Sequence, residues 1–189
     1  MAVSGKGSNL RNLVERGFDV VAVATNRPSC GGAVFARERR IPVGELSQKG
    51  FASVEDRDAA MRDFFGEHGV ELVVDAGYDR VHSKVFLEAF EDRIINVHPS
   101  LLPAFGGGME AVEQALATRA TVTGATVHLV TASLDAGPIL VQESVPILEG
   151  DTVETLRHRV HEAEFRILPQ AVRLMEARLV PGARRAHIQ

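Results

Sequence analysis

Cysteine is nearly absent: Cys30 is the only one among 189 residues. A single thiol excludes an intrachain disulfide and any cysteine-built metal cage, and it suits a reducing compartment. Long apolar runs are missing too. No stretch approaches the ~18 residues that would cross a bilayer as a helix, and no basic start leads into an apolar segment of the secretory type. Nor is there a basic excess. The formal net charge of −4 argues against nucleic-acid partners, which select for positive surface, while leaving room for a local pocket that takes one phosphate. No internal repeat or low-complexity linker divides the chain. The expectation is a single domain over residues 1–189, soluble and cytoplasmic, with small-molecule substrates, no membrane or nucleic-acid partner, and a monomeric or homodimeric state.

Hydrophobic residues make up 45% and charged residues 24%, enough to bury a core and stay in solution. Short β-branched runs alternate with amphipathic ones. Phe18 to Thr25, Val70 to Ala76 and Arg93 to Val97 read as strands. Their apolar character is nearly continuous, as in a parallel sheet covered on both faces. Helical patterns fall at Ser8 to Arg16, Cys30 to Arg39, Val54 to His68 and Val85 to Phe90. Val122 to Val130 and Ile139 to Val145 then read as an antiparallel pair joined by a turn containing Gly and Asp. A last helix is expected from Asp151, where Asp-Thr-Val-Glu looks like a capping box, with Pro169 kinking it or ending it before a second segment through Leu179. The fold class expected is α/β: an open twisted, mostly parallel sheet, helices on both faces, and an antiparallel C-terminal strand region.

Ligands of such sheets bind outside the carboxyl ends of the strands, and four unusual sequences fall at such ends or at nearby turns. They are Ser4 to Asn9, Ala76 to Arg80, Asn96 to Pro103 and Ser133 to Pro138. In the first, glycines let the backbone approach a ligand, and the following helix offers free N–H groups to an anion. The spacing matches neither a dinucleotide fingerprint nor a Walker loop, and an ordinary tight turn would look the same. Asn96 and His98 flank one residue, so on an extended strand their side chains share a side, and Pro99 ends the strand at the histidine. An imidazole can carry a proton or stabilise negative charge, and an amide can hydrogen-bond an oxyanion. An isolated strand-end histidine is nonetheless more often structural. Asp135 could pair with His98, although turn chemistry alone is the commoner use of an Asp in Asp-Ala-Gly. His128 reads as support or structure, and His68, His158, His161 and His187 as surface residues. His158 and His161 lack a third ligand, so no metal is expected.

Taken together, SGKGSNL, AGYDR, NVHPSLLPAF, TGATVHLV, LDAGPILVQ and the helix ending in EFRILP resemble the phosphoribosylglycinamide formyltransferases, a family of folate-dependent formyl-transfer enzymes of purine synthesis. The resemblance covers nearly the whole chain. It implies a catalytic trio of Asn96, His98 and Asp135. It further implies that Gly5, Lys6, Gly7, Ser8 and Asn9 cradle the phosphate of a ribonucleotide, and that Glu164 bonds its ribose hydroxyls. Tyr78, Asp79, Arg80, Val81 and His82, with Asn96 and Val130, would line the folate site. The formyl donor would be 10-formyltetrahydrofolate, a co-substrate, with no metal.

Formyl transfer or hydrolysis with another acceptor is the nearest alternative, and a catalytically quiet ligand-binding homologue is a second. This chain departs from the family pattern at several points. Only Met1-Ala2-Val3 precede the glycine loop, leaving a short first strand or a start upstream. Asp79 and His82 stand where apolar residues are usual, and a charge there is costly unless paired or exposed. Gly106 to Gly108 lengthens the loop after the catalytic strand. The arginine usual after the second helix-linking loop has no clean counterpart, Val54 standing there with Arg57 nearby.

Overall fold

A computed structural model describes residues 1–108 and 110–179; His187 lies outside them. The chain forms two units, Met1–Ile95 and the part from Asn96 onward. The first alternates strand and helix: β1 (Ala2–Val3), α1 (Ser8–Glu15), β2 (Val23–Thr25), α2 (Gly31–Glu38), β3 (Val43–Glu45), α3 (Val54–Glu67), β4 (Val73–Asp75), α4 (Lys84–Ala89) and the start of β5 (Ile94–His98). Its strands lie in the order β3-β2-β1-β4, and β1 pairs parallel to β2 and β4, as β2 does to β3. The α/β, mostly parallel character is the one expected.

The strands are shorter than their apolar runs. Phe18–Ala22 lies outside β2 because its neighbours supply only two and three residues to pair with. Residues 70–72 are likewise outside β4. In α1, Leu10 and Leu13 are buried while Val14 is only half-buried; in α3, Met61 and Phe65 are buried while Ala59 and Phe64 are half-buried. The α3–α4 contact is aromatic, with Phe65 6.2 Å from both Phe86 and Phe90, centroid to centroid. Fully burying one such ring is worth roughly 1.5–3 kcal/mol. β3 was not legible because it is a three-residue segment with glycine at its centre.

From Asn96 onward the chain completes β5 and adds α5 (Ala111–Ala117), β6 (Val122–Leu129), β7 (Ile139–Pro146) and α6 (Val153–Leu179), with strand order β5-β6-β7. β6 and β7 are antiparallel, as expected, but Val127 faces Val141 while His128 faces Ile139, a bulge that leaves Leu140 as the extra residue. Bulges bend a strand and re-aim its side chains. α5 escaped the sequence reading because it is seven residues long and buries only small side chains, Ala111, Val112 and Ala115.

One expectation about α6 is corrected, and of the two alternatives for Pro169 one is excluded. The cap is one residue later than Asp-Thr-Val-Glu suggested. The Thr152 hydroxyl accepts from Thr155 N–H at 3.2 Å and the Thr155 hydroxyl accepts from Thr152 N–H at 3.0 Å, so the reciprocal pair is Thr–Thr. Asp151 instead ties Leu148 N–H and Arg159. Pro169 does not end the helix, which runs unbroken to Leu179. Leu168, Pro169, Ala171 and Val172 are all buried, and that packing outweighs the ~3 kcal/mol a mid-helix proline costs. Among the histidines expected at the surface, His158 is exposed while His68 and His161 are half-buried.

Candidate active site

The chemistry of the second unit gathers at the end of β5. Alternation on the strand puts Asn96 and His98 on one side and sends Val97 to the other. Asp135 sits in the turn between β6 and β7 with φ of 51°, a left-handed conformation that Asp tolerates. It receives a histidine on each carboxylate oxygen: His98 Nδ1 is 3.7 Å from Oδ2 and His128 Nε2 is 3.6 Å from Oδ1. Gly107 N–H donates to Oδ2 at 2.8 Å. The contact from His128 acts most strongly to hold the Asp135 carboxyl below its ordinary range. Burial opposes it, and Gly107 and the two ring charges assist.

The ring orientations follow from their partners. His98 Nε2 is 3.0 Å from the Phe105 carbonyl, which can only accept, so Nε2 carries a proton and Nδ1 faces Asp135. His128 Nδ1 donates in the same way to Leu129 O at 2.9 Å, leaving Nε2 to accept from the Asn96 amide at 3.2 Å. The 3.6 Å approach of Nε2 to Asp135 is an ion-pair distance rather than a hydrogen bond, so Asn96 holds the stronger claim on that nitrogen. His128, read from sequence as support or structure, thus touches both Asn96 and Asp135.

The loop after β5 is fixed from behind. Thr126 Oγ donates to Ser100 O at 2.6 Å and accepts from Leu102 N–H at 3.1 Å and Gln142 Nε2 at 2.8 Å, which fills its hydrogen-bonding capacity. Gly137 is required where it stands, because a Cβ there would lie 1.8 Å from Leu129 O. Val130, just past β6, is half-buried. Glu164 is buried in α6 at 5% exposure, on a helix that also buries Val160, Ala163 and Ile167.

In the first unit, Gly5 and Lys6 are exposed, Gly7 and Asn9 buried, and Ser8 half-buried at the start of α1. Gly7 caps that helix with φ of 74° and no side-chain bond, and a Cβ on it would lie 2.4 Å from Gly32 Cα. The first backbone N–H groups of α1 therefore stand at a glycine turn. Beside it lies a pocket of about 600 Å³ lined by Ser4, Gly5, Lys6, Arg11, Arg27, Ser29, Cys30 and Gly31. Three of these are basic and none is acidic, so the pocket suits an anion.

The segment after β4 resolves the two departures noted in the sequence, since both polar residues are paired. Asp79 accepts from Asn26 Nδ2 at 2.7 Å and meets Arg27, and its N–H donates to Ser4 Oγ at 3.0 Å. Burial opposes its ionisation, but the bonds from Asn26 and Ser4 and the charges of Arg27 and Arg80 hold it below the ordinary carboxylate range. His82 Nε2 lies 2.8 Å from Asp75 Oδ2. Tyr78 is buried, and burial foremost pushes its hydroxyl up to about 12. Arg80 and Val81 face outward, Val81 at 66% exposure. Arg57 is fully buried and bonds Asp58 at 2.6 Å and the Val81 carbonyl at 3.2 Å. Among the described residues, no group of three or more His, Cys, Asp or Glu is placed to hold a metal, and no helix is long and apolar enough to cross a membrane.

The chain is similar to known proteins of one family. Residues 1–172 match the formyl transferase family. A phosphoribosylglycinamide formyltransferase of Mycobacterium tuberculosis is 43% identical over 174 residues, covering 89% of this chain and 80% of that protein. The trifunctional purine biosynthetic protein adenosine-3 of Bos taurus is 38% identical over 179 residues, covering 92% of this chain, and the chain spans 18% of that protein's length. Among solved structures, glycinamide ribonucleotide transformylase 1 from Symbiobacterium toebii has a TM-score of 0.88 at 42% identity, covering 92% of this chain and 84% of that one. Phosphoribosylglycinamide formyltransferase from Bacillus halodurans has a TM-score of 0.88 at 34% identity, covering 100% and 97%.

Proposed function

The chain belongs to the formyl transferase family, and on that premise we propose that it moves the formyl group of 10-formyltetrahydrofolate to the amine of glycinamide ribonucleotide. The observation that carries the reading is the group built on Asp135, with a histidine at each oxygen and Asn96 bonded to one of them. The amine nitrogen attacks the formyl carbon and a tetrahedral oxyanion forms. The carbon–nitrogen bond to the folate then breaks; the amine gives up one proton and the folate nitrogen takes one, through His98 or water. With Nε2–H held toward Phe105 O, protonation of His98 at Nδ1 sets an imidazolium against Asp135. That cation and the Asn96 amide stabilise the oxyanion.

In the same reading Gly5 to Asn9 hold the ribonucleotide phosphate by backbone N–H groups, and Glu164 accepts from ribose hydroxyls. Tyr78 to His82, with Asn96 and Val130, hold the folate. A cytoplasmic location and a monomeric or homodimeric state belong to the proposal. Donor carrying ¹³C in the formyl group tests it. Label recovered on the ribonucleotide amine supports the reading. Label recovered as formate, with the ribonucleotide present, identifies a hydrolase instead.

A further inference from the structure

The segment Tyr78–Ser83 belongs to neither β4 nor α4, yet side chains behind it hold it at four points. Ser4 and Asn26 hold Asp79, Arg57 holds the Val81 carbonyl, Asp75 holds His82, and Asp58 accepts from Ser83 N–H. Arg80 and Val81 are thereby presented outward from a backbone fixed in advance. Three of the four anchors use a buried charge that is costly to leave alone. Only the Asp75–His82 pair contains a group that titrates near neutral pH.

His82 is sandwiched. Its ring stacks on Tyr78 at 5.4 Å and 20° and on Phe86 at 4.4 Å and 19°, an arrangement that favours an imidazolium between two π faces. Its Nδ1, the second oxygen of Asp75 and the Tyr78 hydroxyl are all buried with no hydrogen-bond partner. Loss of the Nδ1 proton would leave the Nε2–H bond to Asp75 in place. It would also remove the positive charge and leave the buried carboxylate with a neutral hydrogen bond in place of an ion pair. Resting on the folate role of Tyr78 to His82, we propose that Asp75 and His82 are positioning residues for the formyl donor: their ion pair holds the segment in its binding geometry, and donor affinity weakens when His82 becomes neutral.

The charges around the pair are accounted for. From α3, Asp58 favours the His82 cation and Arg57 disfavours it, and Asp75, its direct partner, lies on β4. For His82 burial is the largest influence and opposes charge, but the charge and hydrogen bond of Asp75 outweigh it and raise the group above its ordinary value. A raised histidine contributes stability in full below about pH 6.5, its unfolded value, and loses it as pH climbs through the folded value.

The test is the KM for 10-formyltetrahydrofolate from pH 6 to 9, at saturating ribonucleotide, for the wild type, Asp75→Asn and the double change Asp75→Leu/His82→Leu. The wild-type KM should rise at least ~threefold toward alkaline pH, the scale of one buried hydrogen bond losing its charge assistance, with kcat changing less. Asp75→Asn and the double variant should each show a raised KM that is flat over this range. If Asp75→Asn does not fold, the double variant against wild type still decides. A flat wild-type KM, or variants that follow the wild-type curve, overturns the inference. Should no formyl transfer occur, the calorimetric Kd for 10-formyltetrahydrofolate replaces KM. Binding that ignores pH then overturns the pair's role alone, and no binding at any pH overturns it together with the folate assignment.

Discussion

The Asn96 amide donates to Nε2 of His128 across 3.2 Å, and that same ring nitrogen stands 3.6 Å from Asp135 Oδ1. A residue outside the trio therefore fixes the direction of one member and stands against the carboxylate of another. His128→Phe keeps the ring volume and removes both contacts. The expected outcome is a fall in kcat of up to about 100-fold, the scale of a misplaced reacting group, with both KM values changing less. Steady-state kinetics with each substrate varied in turn measures the split.

His98→Ala and Asp135→Ala each should lower kcat by roughly 10²–10⁴, the range of a positioned acid–base group. Because the two act as a unit, the double variant should be scarcely worse than either single one. Multiplying losses would show that they act independently.

The depressed Asp135 carboxyl has a consequence for acid stability. A carboxylate whose folded value is lowered adds stability above its unfolded value near 3.9, and that stability is lost as pH falls through the folded value. Asp135→Asn should therefore narrow the stability difference between pH 5 and pH 2. Urea unfolding followed by circular dichroism measures it, since the sequence contains no tryptophan for fluorescence.

Gly7→Ala tests the phosphate loop. The positive φ costs a non-glycine residue roughly 1–2 kcal/mol, and the new Cβ would meet Gly32 Cα at 2.4 Å, so the loop must shift. The KM for the ribonucleotide should rise while the KM for the folate donor stays within about twofold, a surface-level change. Equal rises in both would contradict a loop dedicated to the phosphate.

How far the sequence carried depended on the range of each interaction. Asn96 and His98 share a side by strand period alone, and α1 and α3 begin at their expected residues because their apolar spacing is local. His128 could not be placed that way. Its neighbours depend on a bulge between β6 and β7, set by the register of two strands and not by its own flanks. The Asp75–His82 bond was hidden for a similar reason: one residue lay inside an expected strand and the other looked like an unfavourable substitution, and only the turn between them makes each the other's counter-charge. The start of β2 was misjudged because β2 pairs residue for residue with the three residues of β3 and begins where they begin.

The most direct measurement is release of the folate product from 10-formyltetrahydrofolate, with and without glycinamide ribonucleotide, for the wild type and Asp135→Ala. The account predicts turnover that requires the ribonucleotide and nearly vanishes in the variant. Turnover that proceeds equally without the ribonucleotide, or a folded Asp135→Ala enzyme that keeps the wild-type rate, would contradict it.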